Sequence, residues 1–375
     1  SVFDSVVQGE DVYLLSPSGS GPIAADSQTL TGQAITVGRV TATAGSVTIA
    51  AGDNLFLEAD TLVKAGVAVT IRGDAAASDP DPDNGTTIDV RGDVQAPQVT
   101  IAGGDDLDFL QISRPGGINA AGTTVLEGHA ADDRFFIQTV AGTMTARGGA
   151  GSDRFYISSD AAKNLFMGGG GYSDDAQGFD PFSVLTGDLT GVTGSLSIEA
   201  GIDGNGNPDG IYVGSRGSTS GLTGTLNAAL GGGSITGLGI TGSLSYTAES
   251  SSYVYVGLGS GDDEVTIRGV DARIAAFVLG GDGNDVVNVT AGSGIAGSGI
   301  AGIVSFFGEG DRGGEGDVLN VFGSSSADDG QLTSVAVTGL EMGRNQLVAT
   351  HEAIFGVAYD TTKANGEAVA DYPAA

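Results

Sequence analysis

The chain has 375 residues, with 46 acidic and 15 basic side chains, a net charge of −31 and no cysteine. A surface this acidic repels nucleic acids and anionic membranes, so neither is expected as a partner. The lack of cysteine excludes disulfides and thiolate metal sites. Stability must therefore come from packing, backbone pairing and bound ions, with calcium as the simplest ion to separate facing carboxylates.

Apolar residues alternate with small polar ones over four to six positions, as in Val47/Ile49, Val69/Ile71 and Val287/Val289. A period of two predicts short strands with one buried face. The 66 glycines predict frequent turns between these strands. We therefore predict an all-β fold, a parallel β-helix or β-solenoid with Gly/Asp-rich corners, in two consecutive segments.

The predicted boundaries follow from the rhythm of the strands, which "MGGGGYSDDAQGFDPF" interrupts at 167–182. The expected units are an N-terminal extension with the first coils and a possible inter-subunit contact at 1–39, solenoid segments at 40–182 and 183–360, and a C-terminal tail at 361–375. The chain opens at Ser1 without a signal peptide, as a processed chain or an excised segment would. Its most apolar stretch, 294–308, is too short and glycine-rich to span a bilayer, so no membrane insertion is expected.

Two Arg-Gly-Asp triplets, at 72–74 and 91–93, each follow an alternating strand. Because they lie 19 residues apart, we interpret them as one corner met one coil later rather than as an adhesion ligand. Between them, "DPDPDN" places Asp79, Asp81 and Asp83 at alternate positions. This loop is either a calcium loop or an exposed insertion stiffened by proline.

A ten-residue box of glycines, an acidic corner and an apolar strand recurs along the chain. The copies are "GGDDLDFLQI" (103–112), "GHAADDRFFI" (128–137), "GGAGSDRFYI" (148–157), "GNGNPDGIYV" (204–213), "LGSGDDEVTI" (258–267), "GGDGNDVVNV" (280–289) and "RGGEGDVLNV" (312–321). Their sixth positions are Asp108, Asp133, Asp153, Asp209, Asp263, Asp285 and Asp317. The close pairs predict a coil of 20–30 residues, and the two wide gaps, of 56 and 54 residues, have room for two coils each.

Two boxes, "GGAGSDRFY" (148–156) and "GGDGNDVVN" (280–288), fit the nonapeptide G-G-x-G-x-D-x-U-x without a mismatch. They resemble the calcium-binding repeats of haemolysin-type secreted proteins, whose glycine turns present carbonyls and whose aspartate adds a carboxylate. Those repeats run in immediate tandem, whereas each box here stands alone on a longer coil. The alternative is that the boxes are metal-free Asp and Asn turns.

Calcium is the expected cofactor, bound by oxygen atoms of the boxes. The predicted ligands there are Asp106, Asp108, Asp133, Asp153, Asp262, Asp263, Asp282, Asn284, Asp285, Asp311 and Asp317. A further set, in "DGNGNPDG", is Asp203, Asn205, Asn207 and Asp209. The latter loop resembles the aspartate-rich calcium loops of thrombospondin-type and dockerin-type repeats.

An enzymatic function is not expected. Paired acids recur in every box, so they follow the repeat rather than mark one catalytic site. His129 and His351 have no partner constellation nearby, and the chain has no tryptophan to stack on a sugar. Serine nucleophile elbows, zinc spacings and phosphate loops are also absent from the sequence.

The stretches from "GDNLFLEADTLVKAGVAVTIRGD" to "GGDDLDFLQI" and "TGLGITGSLSYTAESSSYVYVGLGSGDDEVTI" resemble modules of giant bacterial cell-surface proteins. The resemblance implies an extracellular, calcium-stabilised subunit or module of a surface layer, matrix filament or adhesin. No cap is evident at either end, so head-to-tail self-assembly is expected.

The alternative is a glycan-binding adhesin or a polysaccharide-processing β-helix with surface polysaccharide as partner. Its candidate groove lies at 160–182, with Tyr172, Asp174, Asp175 and Phe179.

Overall fold

The computed structural model describes most of the chain between residues 40 and 322. The described ranges are 40–42, 44–51, 54–74, 85–113, 118, 122–163, 185–202, 208–229, 231–248, 252–290, 302–308 and 317–322, together with strand backbones before residue 40 and at 346–349. Within these ranges the secondary structure is built from strands, as the alternation predicts.

The strands are short and follow one another through the chain. In order they are β1 Asp4–Ser5, β2 Gln8–Gly9, β3 Val12–Leu14, β4 Ile23–Ala25, β5 Ser27–Leu30, β6 Arg39–Ala42, β7 Val47–Ala51, β8 Leu55–Leu57, β9 Leu62–Ala65, β10 Ala68–Arg72, β11 Thr87–Val90, β12 Asp93–Gln95, β13 Gln98–Ala102, β14 Phe109–Ile112, β15 Thr123–Ala130, β16 Arg134–Ile137, β17 Thr143–Ala150, β18 Arg154–Ile157, β19 Ser195–Ile202, β20 Asp209–Gly214, β21 Thr223–Ala228, β22 Gly233–Gly237, β23 Ser243–Thr247, β24 Ser252–Gly257, β25 Glu264–Val270, β26 Ile274–Leu279, β27 Val286–Thr290, β28 Ile303–Phe307, β29 Val318–Phe322 and β30 Gln346–Ala349.

Three sheets collect these strands. Sheet 1 runs in the order β1-β5-β7-β10-β13-β15-β17-β19-β23-β22-β21-β25-β27-β29-β30, with β2 also on β7; sheet 2 runs β28-β26-β24-β20-β18-β16-β14-β11-β8-β3; sheet 3 runs β12-β9-β6-β4. From β13 to β28 the chain passes back and forth between sheets 1 and 2, except at β21–β23, where three successive strands lie in sheet 1. The pairing is parallel except at one meander, so the long parallel sheets that the sequence predicts are confirmed.

One apolar core lies between the sheets. It contains Val47 of sheet 1, Leu55 of sheet 2 and Val63 of sheet 3, each with an exposed fraction of 1% or less. Like residues often stack directly in neighbouring layers, as Ile71 does on Ile101. Each buried Val, Leu or Ile side chain contributes about 1.5–3 kcal/mol relative to exposure, so the alternating pattern accounts for much of the packing.

The two Arg-Gly-Asp triplets do not occupy one corner. Arg72 ends β10 in sheet 1, whereas the triplet at 91–93 follows β11 in sheet 2. The interpretation as one corner is wrong because 19 residues is shorter than one layer here: Val69 pairs with Val99, 30 residues later.

The two wide gaps also differ from expectation. Met144 of β17 pairs directly with Leu196 of β19, so the first gap holds one layer of sheet 1 instead of two. The second gap holds β21, β22 and β23, an antiparallel meander inside sheet 1. Sheet 1 thus gains three strands where sheet 2 gains one, β24. The predicted division into segments at residue 182 remains a prediction. Sheet 1 itself is continuous there, because β17 pairs with β19.

The box at 128–137 carries His129 and Ala131 where the next box carries Gly149 and Gly151. Ala131 has a φ of 69°, and the residue at the same position one layer later is Gly151, with a φ of 148°. L-residues other than glycine are strained in the left-handed region by about 1–2 kcal/mol.

We expect Ala131→Gly to raise the free energy of unfolding by about 0.5–1 kcal/mol, the relief of this strain less the entropy that glycine loses on folding. The matched control is Ala130→Gly, because Ala130 lies in β15 without a positive φ. Urea unfolding of both variants checks this. An Ala131→Gly variant no more stable than the Ala130→Gly variant would contradict the account.

Candidate functional site

The sixth-position aspartates form two columns of buried carboxylates. All seven have an exposed fraction of 3% or less. In the first column Oδ1 of Asp133 accepts a hydrogen bond of 2.8 Å from the backbone N–H of Asp108, and Oδ1 of Asp153 accepts one of 2.8 Å from that of Asp133. Asp209 continues this column, accepting from Asp153 at 2.9 Å. Each aspartate therefore ties its own corner to the preceding layer.

The second column lies at the other end of the sheet 1 strands. Boxes of the first column carry the chain from sheet 1 to sheet 2, whereas the boxes at 258–267, 280–289 and 312–321 carry it from sheet 2 to sheet 1. We call these corners the first edge and the second edge. At the second edge Asp285 accepts from the N–H of Asp263, and Asp317 from that of Asp285, both at 2.8 Å. The N–H of Leu222 donates to Asp263 at 2.6 Å and begins the column.

Glycine at the first box position makes room for the carboxylate. A Cβ built on Gly128 or Gly148 would lie 2.0 Å from Oδ2 of Asp133 or Asp153, and one on Gly280 would lie 2.5 Å from Oδ2 of Asp285. No side chain fits at these distances. In these three boxes the glycine and the aspartate five residues later therefore form one packing unit. Against Asp317 the same role falls to Gly308, nine residues before it.

Burial dominates the electrostatics of the columns. It raises the pKa of Asp108, Asp153 and Asp285 from 3.8 to about 7, and the pKa of Asp133 is raised further because Asp108 and Asp153 lie on either side. The pKa of Asp263 is also raised by burial and by Asp262. Oδ2 of Asp133, Asp153 and Asp285 is buried without a hydrogen-bond partner. In each of these three aspartates, therefore, Oδ1 accepts a backbone hydrogen bond and Oδ2 can bind a proton or a cation.

The other predicted ligands are more exposed or lie outside the described residues. Asp106 is half-buried beside Asp108, and Asp262 and Asp282 are exposed. Oδ1 of Asp262 accepts hydrogen bonds from the N–H and Nδ2 of Asn284, at 3.1 and 3.4 Å. The predicted ligands Asp203, Asn205, Asn207 and Asp311 lie outside the described residues. Across the described ranges no three acidic or histidine side chains come together as metal ligands.

Two buried arginines were missed by the sequence reasoning. Nη1 of Arg134 donates to the carbonyls of Asp132, Asp133 and Ser152 at 2.8, 3.1 and 3.1 Å. Nη1 of Arg154 donates to Ser152 Oγ and to the carbonyls of Asp153 and Pro208, at 2.8, 3.2 and 2.7 Å. The available signal was the Asp-Arg dipeptide at the same position in two consecutive boxes.

An aromatic row on the outer face of sheet 2 was also missed. Its rings stack with centroids 4.4–5.2 Å apart, in the order Phe136, Tyr156, Tyr212, Tyr255 and Phe277. The first three are buried and the last two are half-buried. The signal was an aromatic residue at the ninth position of three consecutive boxes.

A half-buried lysine lies near the start of the same face. Lys163 Nζ lies 3.9 Å from the ring centroid of Phe109 and donates to Thr87 Oγ1 at 2.6 Å. Burial lowers the pKa of Lys163.

Comparisons with known proteins found nothing similar: no family model matches the sequence, and neither a curated protein nor a solved structure gives a match. Among the residues that the structure describes, none lies in a helix long and apolar enough to cross a membrane.

The raised pKa values predict an unusual dependence of stability on pH. A carboxyl whose pKa is higher in the folded chain binds more protons when folded, so its stabilisation is present below about pH 4 and is lost as pH rises toward 7. With chelator present, we expect the urea midpoint to fall between about pH 5 and pH 8. In the double variant Asp133→Asn, Asp153→Asn, the urea midpoint should change less between these two pH values. A midpoint that rises over this range would contradict the assignment.

Proposed function

We propose that this chain is a non-catalytic, extracellular structural protein: a β-solenoid subunit or module of a bacterial surface layer, matrix filament or adhesin, stabilised by calcium at its corners. The observation that carries the proposal is the pair of buried aspartate columns. Acidic groups are distributed one per layer, at equivalent positions, and a scaffold needs this distribution. A catalytic site would instead concentrate unlike groups at one place.

A solenoid is supported by the order in which strands join the sheets. From β13 to β20, and again from β25 to β28, each layer adds a strand to sheet 1 and then one to sheet 2, and parallel register is kept from layer to layer. One core cluster contains side chains of all three sheets. A chain that winds through parallel sheets around one core gives this combination.

The corners offer the donor set that calcium prefers. Calcium takes oxygen ligands from carboxylates and backbone carbonyls. Here Oδ2 of Asp133, Asp153 and Asp285 is buried without a hydrogen-bond partner. The carbonyls of His129 and Gly259 point at glycines of the next layer, since a Cβ on Gly149 or Gly281 would lie 2.0 Å from them. At the second edge, Oδ2 of Asp285 and the carbonyl of Gly259 fit calcium, which would neutralise the carboxylate and hold adjacent corners together.

An extracellular location would keep such sites filled, because extracellular calcium modules bind in the range of about 10⁻⁴–10⁻³ M. The net charge of −31 agrees with this setting, since cations of the medium can screen it.

Head-to-tail assembly is supported by the last described strand of sheet 2. Among the described strands, β28 pairs only with β26. Ile303 and Phe307 of β28 have exposed fractions of 59% and 36%. An exposed apolar edge strand is a template for another chain, and contact with the opposite end of a second copy would extend without closing.

Glycan binding is the second candidate, and the aromatic row bears on it. A sugar stacks on the face of a ring, but both faces of Tyr212 and Tyr255 are covered by neighbouring rings in the row. Of the predicted groove at 160–182, residues 164–182, with Tyr172, Asp174, Asp175 and Phe179, lie outside the described residues. The structural proposal is therefore the better supported of the two.

Calcium removal tests the stabilising ion. We expect excess chelator to lower the thermal midpoint and calcium to restore it, because the column carboxylates then lose their counter-ions. Magnesium at the same concentration is the control, since it demands smaller, near-octahedral coordination. An unchanged midpoint would show that the corners are metal-free turns.

Substitution at β28 tests assembly. We expect Phe307→Lys to reduce the particle size measured by light scattering in calcium, because a charge at the edge blocks pairing with a second chain. Val67→Lys is the matched control, since Val67 is 52% exposed and lies before β10, away from β28. Equal assembly by the two variants would exclude β28 from the contact.

A further inference from the structure

The two edges of the fold differ in their resident cations. At the first edge, Arg134 and Arg154 follow the column residues directly and are only 2% and 7% exposed. At the second edge, the equivalent positions hold Glu264, Val286 and Val318. A buried guanidinium is costly unless oxygens satisfy it, so its position at one edge needs an explanation.

Each guanidinium joins two layers through oxygen atoms. Nη1 of Arg134 lies within 3.1 Å of carbonyls on its own corner, Asp132 and Asp133, and on the next corner, Ser152. Arg154 repeats this one layer on, reaching the carbonyl of Pro208 at 2.7 Å. One positive nitrogen surrounded by carbonyl and hydroxyl oxygens from two successive corners is the arrangement that a bound cation would have.

The surrounding charges follow the same contrast. The positive charges of Arg134 and Arg154 both lower the pKa of Asp153, so they stabilise its carboxylate. The charged groups that act most strongly on Asp285, at the second edge, are the carboxylates of Asp317, Asp263 and Asp262. Arg134 also lowers the pKa of Asp133, against the neighbouring carboxylates of Asp108 and Asp153, which raise it. Arginine thus offsets part of the negative charge at the first edge, and at the second edge that role is left to an external ion.

We infer that Arg134 and Arg154 are built-in substitutes for a metal ion, so that the layers from β16 to β20 keep their corners without calcium. Calcium dependence is then confined to the second edge, between residues 258 and 290. The contrast between the edges rests on the proposed calcium role. The chain would have one half that stays folded when calcium is withdrawn and one half that responds to it.

Hydrogen exchange measured peptide by peptide on the full chain tests this. In excess chelator, we expect amides of β16 and β18 to keep their protection while those of β25 and β27 lose at least about tenfold. In the double variant Arg134→Gln, Arg154→Gln, protection of β16 and β18 should fall by about tenfold in chelator and recover on addition of calcium. Recovery separates substitution for a metal from a purely structural hydrogen bond.

Two further variants keep the test decisive if the glutamine variant folds poorly. Arg134→Lys, Arg154→Lys retains positive nitrogen donors, so it should stay within about threefold of the wild type in chelator. Arg268→Gln removes an exposed arginine of β25 and should change neither edge.

Equal loss of protection at both edges of the wild type would overturn the inference while leaving calcium stabilisation intact. No effect of calcium at either edge would overturn the proposed function as well. Loss of exchange protection in the glutamine variant without recovery in calcium would show that the arginines act only as hydrogen-bond donors.

Discussion

The structure depends on one hydrogen bond repeated from layer to layer: a buried carboxylate oxygen accepts the backbone N–H of the equivalent aspartate in the layer before. The bonds are 2.8–2.9 Å long through Asp108, Asp133, Asp153 and Asp209. When the carboxyl groups are ionised, bonds of this kind are charge-assisted and stronger than neutral ones, but stacked buried carboxylates then repel each other. The glycines packed against the carboxylates of Asp108, Asp133, Asp153, Asp285 and Asp317, the corner arginines and the proposed calcium all serve to accommodate this repeated charge.

The change of edge is the main irregularity of the fold. The last aspartate of the first column is Asp209, and the first hydrogen bond of the second column is donated by Leu222. The antiparallel meander of β21–β23 begins directly after Leu222, where the column moves from one edge to the other. It gives sheet 1 two strands more than sheet 2 at this level. Parallel register then resumes between β21 and β25, with a shift between Leu226 and Ala228. The second column can therefore form with the same chemistry at the opposite corner.

Local patterns in the sequence predicted the strands and the column residues. Alternation located Val69/Ile71 and Val287/Val289 because burial on one face of a strand imposes a period of two. The boxes located all seven buried aspartates because each box places an acidic corner directly before an apolar strand. The edge at which each box lies was not predictable, because the sequence pattern of a box is the same whether sheet 1 or sheet 2 follows it. The meander and the aromatic row depend on register between distant strands, which spacing alone does not determine.

Amide exchange of the column residues, resolved by NMR in calcium-free buffer at mildly acidic pH, tests the central claim most directly. If the carboxylate bonds hold the layers together, the N–H groups of Asp108, Asp133 and Asp153, all at the first edge, exchange only through global unfolding and rank among the slowest of the chain. Exchange as fast as that of the exposed corner residue Leu107 would contradict the account, because the layers would then be held by packing and strand pairing alone.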